Sequence, residues 1–222
     1  MTYRELINQI LIRLREETIL VDWSGNINDN TVVSDYQKVV GSLVNDAKRS
    51  VENYHDWLVL RETKNITTVV GTKNYSLLSG QQFKIIDAIN NSTGTQLLQV
   101  SQSYLNKTKY PTDPTGEPHY YGFNGTDTSN NLKVDLSPIP TQIQTISFDF
   151  VKHQDELTLA ATVLKVPTQP VLLAAWARAI SERGEDGGTQ SSLMAQEASE
   201  ALKQAIMLDS GNTEYESDWY VN

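Results

Sequence analysis

The sequence predicts an α+β protein: an antiparallel four-helix bundle with an inserted all-β domain, a small sandwich or barrel, and an extended C-terminal tail. Three observations predict it. Apolar residues recur at helical spacing near both ends of the chain, the middle alternates with period two, and the last fourteen residues do neither. The expected boundaries are 1–61 for a first helix pair, 62–151 for the β domain, 152–208 for a second helix pair and 209–222 for the tail. A chain of 222 residues, 39% apolar and 20% charged, is long enough to bury a core and too apolar to be disordered.

Thr2-Tyr3-Arg4-Glu5 has capping-box spacing, and Leu6, Ile7, Ile10, Leu11 and Leu14 follow as the stripe of a first helix. An Asn-, Asp- and Gly-rich loop runs from Asp22 to Asn30. Ser34 and Gln37 repeat the box and open a second helix, expected to reach about Trp57, with Val40, Leu43 or Val44, Ala47, Val51 and Tyr54 as its stripe. From Glu62 the pattern turns to strands: Ile66 to Val70, Tyr75 to Leu77, Phe83 to Ile89, Gln96 to Val100, Leu132 to Leu136 and Ile146 to Phe150. Asn124-Gly125 is a favoured hairpin-turn pair, and the proline-rich run Tyr110 to Pro118 excludes helix or central strand. Thr168 can cap a third helix, with Leu172, Ala175, Trp176, Ala179 and Ile180 on one face and a stop at Gly184. Met194, Ala198, Ala201, Ala205 and Leu208 give a fourth helix a heptad-like, alanine-rich face. Two isolated helix pairs would each bury too little, so the pairs are expected to pack together.

Composition excludes several functions. Without cysteine there is no disulfide framework, thiolate metal site or cysteine nucleophile. The longest apolar run, Val171 to Ala177, is far too short to span a bilayer, and the polar start predicts no secretory signal. A net charge of −9 argues against a general nucleic-acid binder. Its distribution is uneven: the four segments carry −2, −1, −2 and −4, so the short tail holds nearly half.

No residue set points to catalysis. There is no phosphate-cradling glycine loop or activated-serine elbow, and His55, His119 and His153 lack metal-ligand spacing. Glu182-Arg183-Gly184-Glu185-Asp186-Gly187-Gly188 suits a helix stop and turn better than a cation loop, since it lacks spaced ligands. His119-Tyr120-Tyr121-Gly122-Phe123 suits a strand that packs Tyr121 and Phe123 inward better than a stacking platform. The expectation is therefore no enzyme, no cofactor and no metal. The tail is the candidate site. Tyr215, Glu216, Asp218, Trp219 and Tyr220 combine aromatic anchors with acids, which suits docking into a groove of another subunit.

Val40-Gly41-Ser42-Leu43-Val44-Asn45-Asp46-Ala47-Lys48-Arg49-Ser50-Val51-Glu52, with Asp56-Trp57 and Leu60-Arg61, resembles the second helix of the head-to-tail adaptor family of short-tailed phages, the tail tubular protein A family. Arg13-Leu14-Arg15-Glu16, Val166-Pro167 and the Glu182 to Gly188 run resemble its other marks in the same order, although the loop from Thr18 to Val33 is longer than usual. The likeness covers roughly residues 1–208. It implies a structural virion protein of the phage neck, assembled in the bacterial cytoplasm as a homo-oligomeric ring, twelve-fold in such adaptors. The ring would join the portal protein to the tail nozzle protein, with the tail fibre nearby. Genome DNA would pass through it without specific binding, and no membrane would be involved. The helical part and tail would meet the portal, with the five tail residues named above as its portal contacts. The rival readings are another neck or tail-completion protein and a tail-associated cell-wall hydrolase.

Overall fold

In the computed structural model, which describes residues 1–79, 83–108, 112–184 and 188–211, the chain leaves one unit and later returns to it. Residues 1–60 and those from 153 on form a helical unit, and residues 61–152 form a β unit between them. The described residues hold helices α1 (Tyr3–Arg13), α2 (Asp35–Tyr54), α3 (Gln102–Thr108), α4 (Thr168–Arg183) and α5 (Thr189–Gly211).

Both capping boxes form. Thr2 accepts from the Glu5 amide while the Glu5 carboxylate takes the Thr2 amide at 2.8 Å, and Ser34 and Gln37 do the same for α2. The Thr2 contact also holds the Glu5 carboxyl below its ordinary range. Thr168 does not cap α4. Pro167 occupies that position with no side-chain cap bond, and the helix ends as expected on a left-handed Gly184.

The four-helix bundle does not form. Such a bundle needs four helices of similar length around one axis. Here α1 is 11 residues, roughly 16 Å long, and it packs with α2 and α4. The 23-residue α5 lies along α4 and buries only Ser191, Met194 and Ala198. Of its heptad-like face, Ala201 and Ala205 are half-buried and Leu208 is exposed. Two irregular segments complete the core instead. One carries Ile19, Trp23, Ile27 and Val33, the other Leu157, Ala160, Leu164 and Val166, and all eight are buried. Close approach of α1 and α2 depends on Gly41, where a Cβ would sit 2.5 Å from the Tyr3 hydroxyl.

In the β unit, one antiparallel sheet has the order β1 (Arg61–Thr67), β10 (Thr145–Lys152), β3 (Phe83–Asn90), β4 (Thr95–Gln96). The second has the order β2 (Asn74–Ser79), β8 (Asn131–Ser137), β7 (Tyr120–Thr126), β5 (Leu98–Gln99), with β5 parallel to β7. A parallel bridge joins β6 (Thr115–Gly116) to β9 (Ile139–Pro140). Tyr75, Leu77, Tyr121, Val134 and Leu136 of the second sheet share a core with Ile66, Ala88, Ile146 and Phe148 of the first, so the unit is a sandwich.

It is not all-β. Helix α3 covers the outer face of β7, with Leu105 buried against Gly122, where a Cβ would stand 2.8 Å from Leu105 Cδ1. That cover explains Asp135. Alternation along Leu132 to Leu136 predicts that it faces water, yet it is 1% exposed and accepts from Gln102, Asn124 and Asn74. Asn124-Gly125 is not the hairpin turn. Gly125, at φ 64°, sits in a register shift within β7, and the turn lies at Asp127 to Asn130. The Asp127 carboxylate organises it by accepting from Ser129, Asn131 and Ser76. Those bonds, from Asn131 above all, hold its pKa down to about 2.

The expected extended tail begins too early as well. Asp209, Ser210 and Gly211 belong to α5, and of Glu185, Asp186 and Gly187, named in the sequence motif, each lies outside the described residues, as do Tyr110 and Pro111.

Candidate docking surfaces

The strand-like return from the β unit is fastened to α2 by a row of side chains. Asn45 donates to Leu157 O at 3.0 Å and accepts from Leu157 N at 2.9 Å. One turn on, Lys48 Nζ donates to Gln154 O, and Glu52 Oε1 accepts from Gln154 N at 3.3 Å. Lys48 and Glu52 also pair with each other at 3.1 Å, at 4% and 1% side-chain exposure. Arg49 reaches Glu156 on the outer side. Spacings of three and four put all these groups on one side of the helix. Burial, reinforced by the Glu156 charge, pushes the neighbouring Tyr3 hydroxyl well above its ordinary pKa. Sequence reasoning saw the stripe of Val40, Val44, Ala47 and Val51 but not this polar row. The signal was there, since Asn45, Lys48 and Glu52 recur at three and four, but their partner is an irregular segment more than a hundred residues away.

The end of α5 is clasped to the end of α2. Asp209 Oδ2 lies 3.0 Å from His55 Nε2 and accepts from the Leu58 amide at 3.1 Å. His55 in turn stands edge-on to buried Trp57. Asp209 therefore serves the fold rather than an acidic tail. The five predicted site residues, Tyr215, Glu216, Asp218, Trp219 and Tyr220, lie outside the described residues.

At the other end of α5 is a groove of about 310 Å³ lined by arginines. Arg13 stacks over Trp176 at 4.8 Å. Arg183 donates to Leu14 O and Glu16 and lies 5.7 Å from the Tyr36 ring centre. Arg183 and Gly184 thus close the α4 end structurally, and among the described residues no group of His, Cys, Asp and Glu could hold a metal ion. Beyond Glu16, a second groove of about 520 Å³ runs past Leu20, Val21 and Val32, all exposed. Along α5, Leu193, Met207 and Leu208 are exposed too.

In the β unit, a cleft of about 450 Å³ opens between Phe83, Ile85, Phe123 and Leu132. Tyr121 faces the opposite way from a binding platform: it is buried edge-on to Phe148 and Phe123. Glu117 is held below its ordinary pKa, chiefly by the Thr93 hydroxyl, with Thr95 and His119 adding to it. None of these places pairs an acid with a nucleophile in a closed pocket.

A family model described as SU10 adaptor protein matches residues 1–219. The chain belongs to the SU10 adaptor protein family. No curated protein matches the chain closely enough to count as a relative. Membership in the SU10 adaptor family makes this a structural phage head-to-tail adaptor, a protein of the virion neck that associates with other virion components. Among the described residues no helix is long and apolar enough to cross a membrane.

Proposed function

We propose that the chain forms a closed ring between the portal and the tail nozzle and serves as part of the conduit for DNA ejection. The observation that carries the proposal is the family match across residues 1–219. Two features support it. Leu193, Met207 and Leu208 leave apolar area on the outer side of α5 for a neighbouring copy, and heterologous contacts of that kind close into rings. The acidic balance presents few bases to the genome, which suits a passage rather than a clamp. In this proposal the ring is twelve-fold, as in tail tubular protein A, and Tyr215, Glu216, Asp218, Trp219 and Tyr220 enter the portal.

The test mixes purified protein with portal rings and examines the product by negative-stain microscopy. An added ring on the portal is expected. A variant ending at Gly211, which keeps the Asp209 clasp, should lose attachment while retaining its far-ultraviolet spectrum. Undiminished attachment of that variant would refute the tail contacts, and no attachment by the full chain would refute the portal assignment.

A further inference from the structure

Among the described residues, the polar side chains of the groove at the junction of α1, α4 and α5 are mostly hydrogen-bond donors. Arg13, Arg15, Arg183 and Gln190 surround an apolar floor of Leu14 and Trp176. One carboxylate, Glu16, already holds Arg183 at 2.7 Å. Arg13 Nη1 and Trp176 Nε1 are buried with no hydrogen-bond partner among the described residues. Buried donors without acceptors are costly, and a small rotation of either side chain would offer them to an acceptor in the groove. Arg15 stands exposed at φ 59°, a left-handed conformation that glycine would take more easily. The site calls for carboxylates beside an aromatic group.

We propose that this groove seats the acidic, aromatic C-terminal segment, residues 212–222, of a second copy of the chain. That segment carries Glu214, Glu216 and Asp218 against the three arginines, with Tyr215, Trp219 and Tyr220 to pack on the Trp176 floor. Its own groove is out of reach of the three acids and Trp219. From Gly211 back to Gln190, α5 is about 31 Å long at 1.5 Å per residue. Even fully extended, the chain from Gly211 to Trp219 covers only about 28 Å. The inference concerns the protein before any portal is met and does not depend on the portal reading; the two placements of the segment exclude each other, so entry into a portal would release it from the groove.

The test uses full-length protein and a fluorescently labelled peptide of residues 210–222, with anisotropy as the readout and no portal present, so its failure is separate from failure of portal attachment. Saturable binding is expected, weakened about tenfold by Arg15→Glu, an exposed change that spares the core, and weakened steeply by salt. A peptide with Glu214, Glu216 and Asp218 replaced by Gln should bind at least tenfold less tightly. Equal affinity of wild type and Arg15→Glu would overturn the proposal. So would displacement of the peptide by a duplex oligonucleotide or inorganic phosphate at lower concentration than by unlabelled peptide.

Discussion

Replacing Glu52 by Gln tests whether the α2 polar row holds the helical unit together. In the wild type, the Lys48 ammonium is almost completely buried, held by Glu52 and Gln154 O. Glu52→Gln keeps the shape and an acceptor for the Gln154 amide but leaves the ammonium uncompensated. Breaking a buried pair in this way costs about 3–5 kcal/mol. With a urea slope of about 2 kcal/mol/M, the midpoint should fall by about 1.5–2.5 M. Tryptophan fluorescence isolates the effect. Trp23, Trp57 and Trp176 lie in the helical unit and the β unit has no tryptophan, so a Trp219→Phe background reports the helical unit alone. In a Lys48→Met background Glu52 is itself a buried carboxylate without its cation, so the same Glu52→Gln change should be neutral or stabilising. Equal costs in the two backgrounds would refute the reasoning, because the pair would then be uncoupled.

Gly41→Ala should destabilise the helical unit by about 1–3 kcal/mol, since the new methyl meets the Tyr3 hydroxyl and Ile27; thermal unfolding followed by tryptophan fluorescence checks it. Gly122→Ala should push Leu105 outward and loosen α3 from β7, which amide exchange across Gln102–Thr108 would show. Asp209→Ala removes the acceptor of the Leu58 amide and the partner of His55, and should cost about 1–2 kcal/mol, with faster exchange in the last turn of α5. Asp127 titrates at about 2 when folded and about 3.9 when unfolded. The folded carboxyl pKa is depressed, so its contribution to stability is complete above the unfolded value and is lost as pH falls through about 2. Carboxyl chemical shifts in an acid titration should place the Asp127 midpoint well below those of exposed aspartates.

The starts and stops of the helices were legible because they are local. Thr2 with Glu5, Ser34 with Gln37, and Gly184 each act within four residues. Period two likewise found β10, since Ile146, Phe148 and Phe150 are buried while the residues between them are only half-buried. What failed was non-local. The bundle inference assumed that helices must cover helices, whereas Ile19, Trp23, Leu157 and Leu164 cover them from irregular backbone that has no period to detect. Asp135 looked solvent-facing because nothing in Ser101 to Thr108 announces a helix, and Asn124-Gly125 looked like a turn because its φ requirement is the same in a bulge. Of the candidate site, the acidic and aromatic tail could be read from composition. The arginine groove could not, because Arg13 and Arg183 meet only when α1 and α4 end side by side.

The interrupted helical unit has a kinetic consequence. Its polar row joins α2 to residues beyond the whole β unit, so it cannot close until that unit has been synthesised. If the intervening chain were still a random coil, closure would cost about 4 kcal/mol of entropy by the logarithmic loop law. Pairing of β1 with β10 puts Arg61 opposite Val151 and makes the two exits of the β unit neighbours. A folded sandwich thus turns a long loop into a short staple. Refolding should therefore be sequential, with the sandwich first and the tryptophan signal last.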